Sequence, residues 1–113
     1  NHFYIMSVDG FPAGYLKLVA NSANESVQKE NCCRLEKIYI LNDFIPLKIG
    51  QKLLSFAEEK TKELKFDTLW LSVYIKNDRA IRFYQKNEFK HVGSLNYLVN
   101  GTAYENIIFS KKI

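Results

Sequence analysis

The chain has 113 residues and a formal net charge of +4, and 47% of its residues are hydrophobic. This length fits a single domain, and the apolar content is enough to fill a core, which excludes an intrinsically disordered chain. The mild positive balance suits an anionic ligand but falls short of a basic nucleic-acid-binding arm. No apolar run reaches the roughly 18 residues that cross a bilayer, so we expect a soluble, cytoplasmic protein that binds neither membrane nor nucleic acid.

The two cysteines of the sequence, Cys32 and Cys33, are adjacent. This spacing offers neither a disulfide framework nor a zinc site. The sequence therefore predicts no metal and a reducing compartment.

Short hydrophobic segments dominate the first third of the chain. Residues 3–8 are rich in β-forming side chains, Asp9-Gly10 and Pro12 interrupt them, and residues 14–20 resume with alternating apolar positions. This pattern predicts a β-hairpin. A polar loop over residues 21–31 then leads to a third predicted strand at residues 35–41.

The remaining chain alternates helical and strand patterns. After a loop at residues 42–48, apolar positions recur at helical spacing and predict an amphipathic helix of about four turns starting near Gly50. A hydrophobic run at residues 67–75 predicts a buried strand, and Asn77-Asp78 opens a short helix over residues 79–86. Residues 89–113 predict a second hairpin that turns at Asn100-Gly101. The order ββ, β, α, β, α, β, β predicts an α/β or α+β sheet with helices packed on it.

The start of the first helix is a candidate anion site. Its first backbone N–H groups have no intrahelical partner, and Gly50 leaves them uncovered by a side chain. A single glycine at a helix start is more often only a structural device. A second motif strengthens the functional interpretation, the pattern Asn-x-x-Ala-Ile-x-Phe-Tyr-x-x-x-x-Phe, made of Asn77, Ala80, Ile81, Phe83, Tyr84 and Phe89.

In this motif, and most specifically across residues 35–93, the chain resembles the GCN5-related N-acetyltransferase (GNAT) superfamily. The resemblance implies an enzyme that transfers the acetyl group of acetyl-CoA to a primary amine of a small molecule, such as a polyamine, or of a peptide. It also implies a mixed, mostly antiparallel sheet with an acyl-CoA cleft between two splayed strands, those at residues 35–41 and 68–75. The C-terminal segment, with Glu105, looks most like the bacterial small-molecule and polyamine members.

The family usually has a strand and two helices before the first hairpin, and they form a wall of the acceptor site. We therefore expect residues 1–113 to form one GNAT-like domain that is truncated at its N-terminus or completed by a partner. Acetyl-CoA and an amine acceptor are the expected partners, and the interpretation allows for a homodimer.

The resemblance implies cofactor contacts from both ends of the cleft. The pantetheine arm would pair with the third strand, the diphosphate would lie on the loop that ends at Gly50, and Arg79, with Arg82 and Lys86 on one helical stripe, would face the 3′-phosphate. Asn77 would bind the pantetheine arm, although it also suits a helix-entry turn, and the cationic stripe also suits a solvated face. The implied cofactor-binding residues are Ile38, Tyr39, Ile40, Ile45, Lys48, Ile49, Gly50, Asn77, Arg79 and Tyr84.

Two catalytic residues follow from the resemblance. Tyr84 matches the tyrosine that the family places near the thioester sulfur, where it would protonate the departing thiolate, although it also suits a core position. Glu36 matches the acid that draws the proton from the amine, usually through water, and simple alternation puts it on one face with Ile38 and Ile40. A solvated charge at a strand edge is the alternative for Glu36. His2 and His91 are candidates only by their chemistry.

Two departures from the family pattern favour a second hypothesis. The family loop reads Gln/Arg-x-x-Gly-x-Gly/Ala, whereas residues 45–50 of this chain read Ile-Pro-Leu-Lys-Ile-Gly and keep only the last glycine. Glu88 replaces the glycine that commonly precedes Phe89, which predicts a different turn. The alternative to an enzyme is a non-catalytic GNAT-like module that binds acyl-CoA or another protein.

Overall fold

The computed structural model describes residues 1–22, 27, 31–40 and 49–113. These residues form one mixed sheet with two helices, which confirms the predicted element types and their order. The ranges are β1 His2–Val8, β2 Phe11–Ala20, β3 Cys32–Ile40, α1 Ile49–Glu63, β4 Thr68–Tyr74, α2 Asp78–Lys86, β5 Lys90–Val99 and β6 Thr102–Lys112.

The sheet has six strands in the order β1-β2-β3-β4-β6-β5. Its neighbouring strands are antiparallel except for β3 and β4, which are parallel. That parallel pair is joined only between residues 32–34 of β3 and residues 68–70 of β4. Beyond this short ladder β3 continues to Ile40 and β4 to Tyr74 without pairing with each other, while each stays paired with its other neighbour. The two strands therefore splay apart, and the sheet opens at its centre.

Helix α1 packs on one face of the sheet because its apolar residues recur on one side. Leu53, Leu54 and Ala57 are buried against sheet residues that include Leu16 and Leu35. The helix ends with Lys60 and Lys62 in its last turn, where cations stabilise the negative end of the helix dipole. This side of the sheet is called the helix face below.

The opposite side of the sheet is called the open face. It carries a smaller buried cluster that contains Cys32, Trp70 and Ile108. The indole Nε1 of Trp70 donates a hydrogen bond of 2.6 Å to the carbonyl oxygen of Ser22. The two faces thus differ in how much packing they receive from the described residues.

The first hairpin departs from the prediction at Pro12, which was expected to lie outside the strands. Strand β2 begins at Phe11, and Pro12 pairs with Ser7 beside a register shift. Among the described residues, pairing between β2 and β3 starts at Gly14, two residues after Pro12. A proline lacks the N–H of a ladder and is tolerated at such a bulge.

The alternation assumed for β3 is wrong at Glu36. Lys17 of β2 pairs with Lys37, but the next residue of β2 pairs with Leu35, so Glu36 is an extra residue in the ladder. Such a bulge reverses the expected sides beyond it. Glu36 therefore does not share a face with Ile38 and Ile40, because Ile38 packs on the main core whereas Glu36 bonds to Lys17 on the open face.

Helix α2 ends in a turn that glycine usually provides. Glu88 has a φ of 69°, in the left-handed region. The N–H of Phe89 donates to the carbonyl of Tyr84 at 3.0 Å, and the N–H of Glu88 donates to that of Gln85 at 3.0 Å, which is the Schellman pattern. The prediction of a different turn is therefore wrong. Glu88 adopts the left-handed conformation that glycine usually provides, and its Cβ makes that conformation sterically unfavourable.

Candidate active site

The opening between β3 and β4 is a cleft of about 650 Å³. Three elements surround it: the end of β3 that has separated from β4, the first turn of α1, and α2 with its entry residue. The cleft is lined by Ile38, Tyr39, Ile40, Gly50, Gln51, Asn77, Arg79, Ala80, Phe83, Tyr84 and Lys86.

The charged side chains that line the cleft, among the described residues, are all cationic. Arg79 and Lys86 line it from α2, and no carboxylate belongs to the lining within the described ranges. The positive end of the α1 dipole adds to this field, since the first turn of that helix also borders the cleft. The combination suits an elongated anion with an apolar arm.

Gly50 allows a ligand to approach the helix start closely. A Cβ atom at this position would lie 3.1 Å from Cδ1 of Ile40, which is tighter than ordinary van der Waals contact. The residue before it, Ile49, has its side chain in the main core with 2% exposure. Only the backbone of Ile49 is therefore available to a ligand.

Tyr84 belongs to the core and also lines the cleft. Its ring is 6% exposed and packs edge-on against Phe83 and Phe89, with centroid distances of 5.2 and 5.6 Å. It nevertheless borders the cleft. None of the described residues forms a hydrogen bond with its hydroxyl, and burial raises the pKa of Tyr84 to about 12. The hydroxyl therefore keeps its proton at neutral pH and has hydrogen-bonding capacity to spare.

Asn77 caps helix α2. Its side-chain Oδ1 accepts a hydrogen bond of 3.2 Å from the backbone N–H of Ala80, so the structural role considered for Asn77 is real. The side chain also borders the cleft, and the cap uses only its oxygen. The amide nitrogen remains a donor for a ligand.

Glu36 lies outside the lining of the cleft, on the open face. Its Oε1 accepts a hydrogen bond from Nζ of Lys17 at 3.0 Å. This bond, with a smaller contribution from Arg34, holds the pKa of Glu36 below its usual value. The carboxylate is thus ionised at neutral pH.

Glu105, the acid of the C-terminal segment, does not lie beside Glu36. It alternates with Asn106 on β6 and so lies on the side of Ile107 and Phe109, which belong to the core of the helix face. The two carboxylates therefore lie on opposite faces of the sheet.

Several predicted site residues are brought together, and others are not. Ile38, Tyr39 and Ile40 border the cleft as expected, but Arg82 does not. Ile45 and Lys48 lie outside the described residues. Sequence reasoning missed Gln51, whose side chain donates to Oδ1 of Asn87 at 2.9 Å and so links α1 to the end of α2. Its place one residue after Gly50 was the available signal.

The acetyltransferase (GNAT) family model matches residues 1–89 of this chain. The chain belongs to the GNAT family. A curated relative from Lactobacillus delbrueckii subsp. lactis, named "Uncharacterized N-acetyltransferase in pepI 3′region", is 40% identical over 82 residues, which cover 73% of this chain and 47% of the relative. The chain thus spans about half the length of that curated relative.

Solved structures of GNAT proteins show the same fold. Ribosomal-protein-alanine N-acetyltransferase from Brucella melitensis is similar with a TM-score of 0.81 at 18% identity, over 98% of this chain and 68% of that one. A GNAT family acetyltransferase from Elizabethkingia anophelis with acetyl-CoA bound gives a TM-score of 0.80 at 16% identity, over 98% of this chain and 75% of that one. The mixed sheet with its central opening is therefore the GNAT fold.

Neither helix in the described part of the chain is long and apolar enough to cross a membrane.

Proposed function

We propose that this GNAT domain transfers the acetyl group of acetyl-CoA to a primary amine. The observation that carries the proposal is the cleft between β3 and β4, which combines cationic side chains, an uncovered helix start and a buried tyrosine hydroxyl. Acetyl-CoA has the matching chemistry, because it joins an anionic nucleotide to an uncharged pantetheine arm. The acceptor is a small molecule, polyamines included, or a peptide.

Residues of this chain supply the contacts for such a ligand. Backbone N–H groups at Ile49 and Gly50 would receive the diphosphate, as helix starts do. Arg79 and Lys86 would receive the 3′-phosphate, and the backbone of Ile38 and Ile40, on the edge of β3 that separates from β4, would pair with the pantetheine amides. We include Tyr39, Ile45, Lys48 and Asn77 in the proposed cofactor site on the strength of the family pattern.

Tyr84 would act on the departing sulfur. With its pKa near 12, compared with about 8.5 for a free thiol, full proton transfer from Tyr84 is uphill by roughly 3.5 units. The hydroxyl would therefore contribute mainly as a hydrogen-bond donor that stabilises the developing thiolate charge. Burial supports this role, because a donor in a dry site needs no reorganisation.

Glu36 would accept the proton of the amine. A primary amine with a pKa near 10.4 is neutral in only about one molecule in 2,500 at pH 7, which costs roughly 4.6 kcal/mol. Glu36 is ionised at neutral pH, so its carboxylate has a lone pair to accept that proton directly or through water. Its place on the open face suits an acceptor that approaches the opening from the side opposite the helices.

The test has two stages. Calorimetry should first show that the protein binds acetyl-CoA, and a thiol-release assay with a panel of polyamines, amino acids and peptides should then show turnover with at least one amine. An absence of binding would contradict the proposal at its first step.

The alternative function is an acyl-CoA-binding module without turnover. The sequence of residues 45–50 favours this alternative, because it departs from the family loop at every motif position except the last glycine. Binding of acetyl-CoA with no thiol release across the whole panel would support this alternative.

A further inference from the structure

A second polar cluster lies on the open face, at the point where the central strands separate. Arg34 pairs with Trp70 in the last rung of the β3–β4 ladder. Its guanidinium carbon lies 4.9 Å from the centre of the Trp70 ring, and its Nη2 donates a hydrogen bond of 2.7 Å to the hydroxyl of Tyr97. The same hydroxyl lies 3.2 Å from Oγ of Ser72. Side chains from three strands therefore converge at the opening.

The arrangement fixes the guanidinium in place. Tyr97 belongs to β5, which is separated from β3 by β4 and β6, so its ring reaches across the sheet to Arg34. The guanidinium lies over the Trp70 ring and is hydrogen-bonded to the Tyr97 hydroxyl. It therefore loses little further conformational freedom when it binds a ligand. This pre-organisation exceeds what a solvated surface arginine shows.

Arg34 forms no ion pair with any of the described residues. No described carboxylate lies within 4.0 Å of its guanidinium, and the nearby Glu36 is paired with Lys17. Its buried Nε has no hydrogen-bond partner in the described part of the chain. Tyr97 uses one N–H of Nη2, and the other Nη donors of Arg34, which no described residue uses, can serve an anion.

We propose that Arg34, Tyr97 and Ser72 bind a carboxylate group of the acceptor, so that the substrate is an amine that also carries a carboxylate, as amino acids do. This inference rests on the proposed acetyl transfer. A guanidinium matches a carboxylate with paired hydrogen bonds, and the two hydroxyls can add a donor beside it. A polyamine fits this site poorly, because its cations would face Arg34.

The position of Glu36 sets the expected distance between the carboxylate and the amine of the acceptor. It lies two residues beyond Arg34 on β3 and on the same face. Two residues of a strand span about 6 to 7 Å, and a bulge shortens that distance. An acceptor whose amine and carboxylate are a few bonds apart can therefore place its carboxylate at Arg34 and its amine towards Glu36 and the opening.

The test compares each of the twenty common amino acids with its own carboxamide, which keeps the amine and removes the carboxylate. Spermidine and a tetrapeptide complete the panel. We expect kcat/KM to be at least 10-fold higher for the best amino acid than for its amide. In the Arg34→Gln variant this ratio should fall close to 1, mainly through a higher KM for the acid.

Three further variants separate recognition from folding. Arg34→Lys keeps the charge and should retain part of the preference, and Tyr97→Phe should lower it by removing one donor. Lys62→Gln removes an exposed cation at the far end of α1 and should leave the ratio unchanged. Each variant should bind acetyl-CoA like the parent, which shows that its fold is intact.

The outcomes decide the inference separately from the function. Equal rates for acids and amides, equal losses for both in Arg34→Gln, or spermidine as the best acceptor would each overturn it while acetyl transfer stands. If no acceptor is acetylated, the proposed function fails. NMR titration of the CoA-bound protein with each amino acid and its carboxamide then tests whether the Arg34 site binds a carboxylate. Shifts of the Tyr97 ring with acids but not with amides, lost in Arg34→Gln, would support it, and their absence would refute it.

Discussion

The helix face and the open face of the sheet meet at the same opening but provide different chemistry. On the helix face, two helices cover the opening with a large core, a glycine at a helix start and two cationic side chains. On the open face, the described side chains come from the strands, and they include a carboxylate, Glu36, and a guanidinium, Arg34, that forms no ion pair among the described residues. The first arrangement suits a long anionic ligand held largely through backbone groups. The second suits a small ligand recognised through side chains.

This difference indicates which face tolerates sequence change. Backbone recognition at a helix start depends on geometry, so many sequences can provide it as long as the approach stays open. Side-chain recognition depends on residue identity, so substitutions on the open face should change the acceptor before they change the cofactor. The predictions below test this division, beginning with the largest expected effect.

Gly50→Glu should abolish acetyl-CoA binding, with at least a 100-fold loss of affinity. The new side chain would enter the cleft beside Ile40, already 3.1 Å from an added Cβ, and its charge would repel a diphosphate. Calorimetry measures the effect. Gly50→Ala is the matched control and should lose much less, because Cδ1 of Ile40 is the end of a flexible chain. Parental affinity in the Gly50→Glu variant would place the ligand elsewhere.

Tyr84→Phe should lower kcat by about 10² to 10³ and leave acetyl-CoA affinity nearly unchanged. The substitution keeps the packed ring and removes only the hydroxyl, which acts in the transition state. Steady-state kinetics and calorimetry together measure the split. Tyr4→Phe is the control, because that ring packs on Phe56 and does not border the cleft. An unchanged kcat, where chemistry limits the rate, would show that Tyr84 only packs in the core and has no catalytic role.

The helix face was largely predictable from the sequence, and the open face was not. The spacing of Leu53, Leu54 and Ala57 predicted α1, because helical periodicity can be recognised within one short segment. The motif around Tyr84 likewise lies within one short segment. These features need no knowledge of which strands become neighbours.

The open face depends on contacts between distant segments. The bulge at Glu36 exists only in relation to β2, so alternation along β3 put Glu36 on the wrong side. The bond between Arg34 and Tyr97 joins residues 63 positions apart, and no local pattern marks it. Tertiary pairing decided both, which is why the candidate acceptor site emerged only from the structure.

Lys17→Met should raise the pKa of Glu36 towards its ordinary value. The hydrogen bond from Lys17 is the main cause that holds this pKa low, and Lys37 is a lesser one. Titration of the Glu36 carboxyl carbon by NMR measures the pKa without requiring turnover. Lys37→Met, the control on the same face, should produce a smaller shift. Any stability gained from the pair is present above the ordinary carboxyl pKa and lost as pH falls through the lowered one. An unchanged pKa would show that the pair is absent in solution.

Glu88→Gly should stabilise the protein by about 0.5 to 1 kcal/mol. Glu88 ends helix α2 with a φ of 69°, which a residue with a Cβ adopts at a steric cost and glycine adopts freely. Part of the gain is offset, because glycine also loses more backbone entropy on folding. Denaturant unfolding measures the difference, and Gln85→Gly provides the control, since glycine inside the helix should cost about 1 kcal/mol. Turnover should stay at the parental level, because Phe89 N–H still bonds to the carbonyl of Tyr84 and keeps that ring at the cleft. A loss of stability in Glu88→Gly would mean that the Glu88 side chain contributes more than its backbone strain costs.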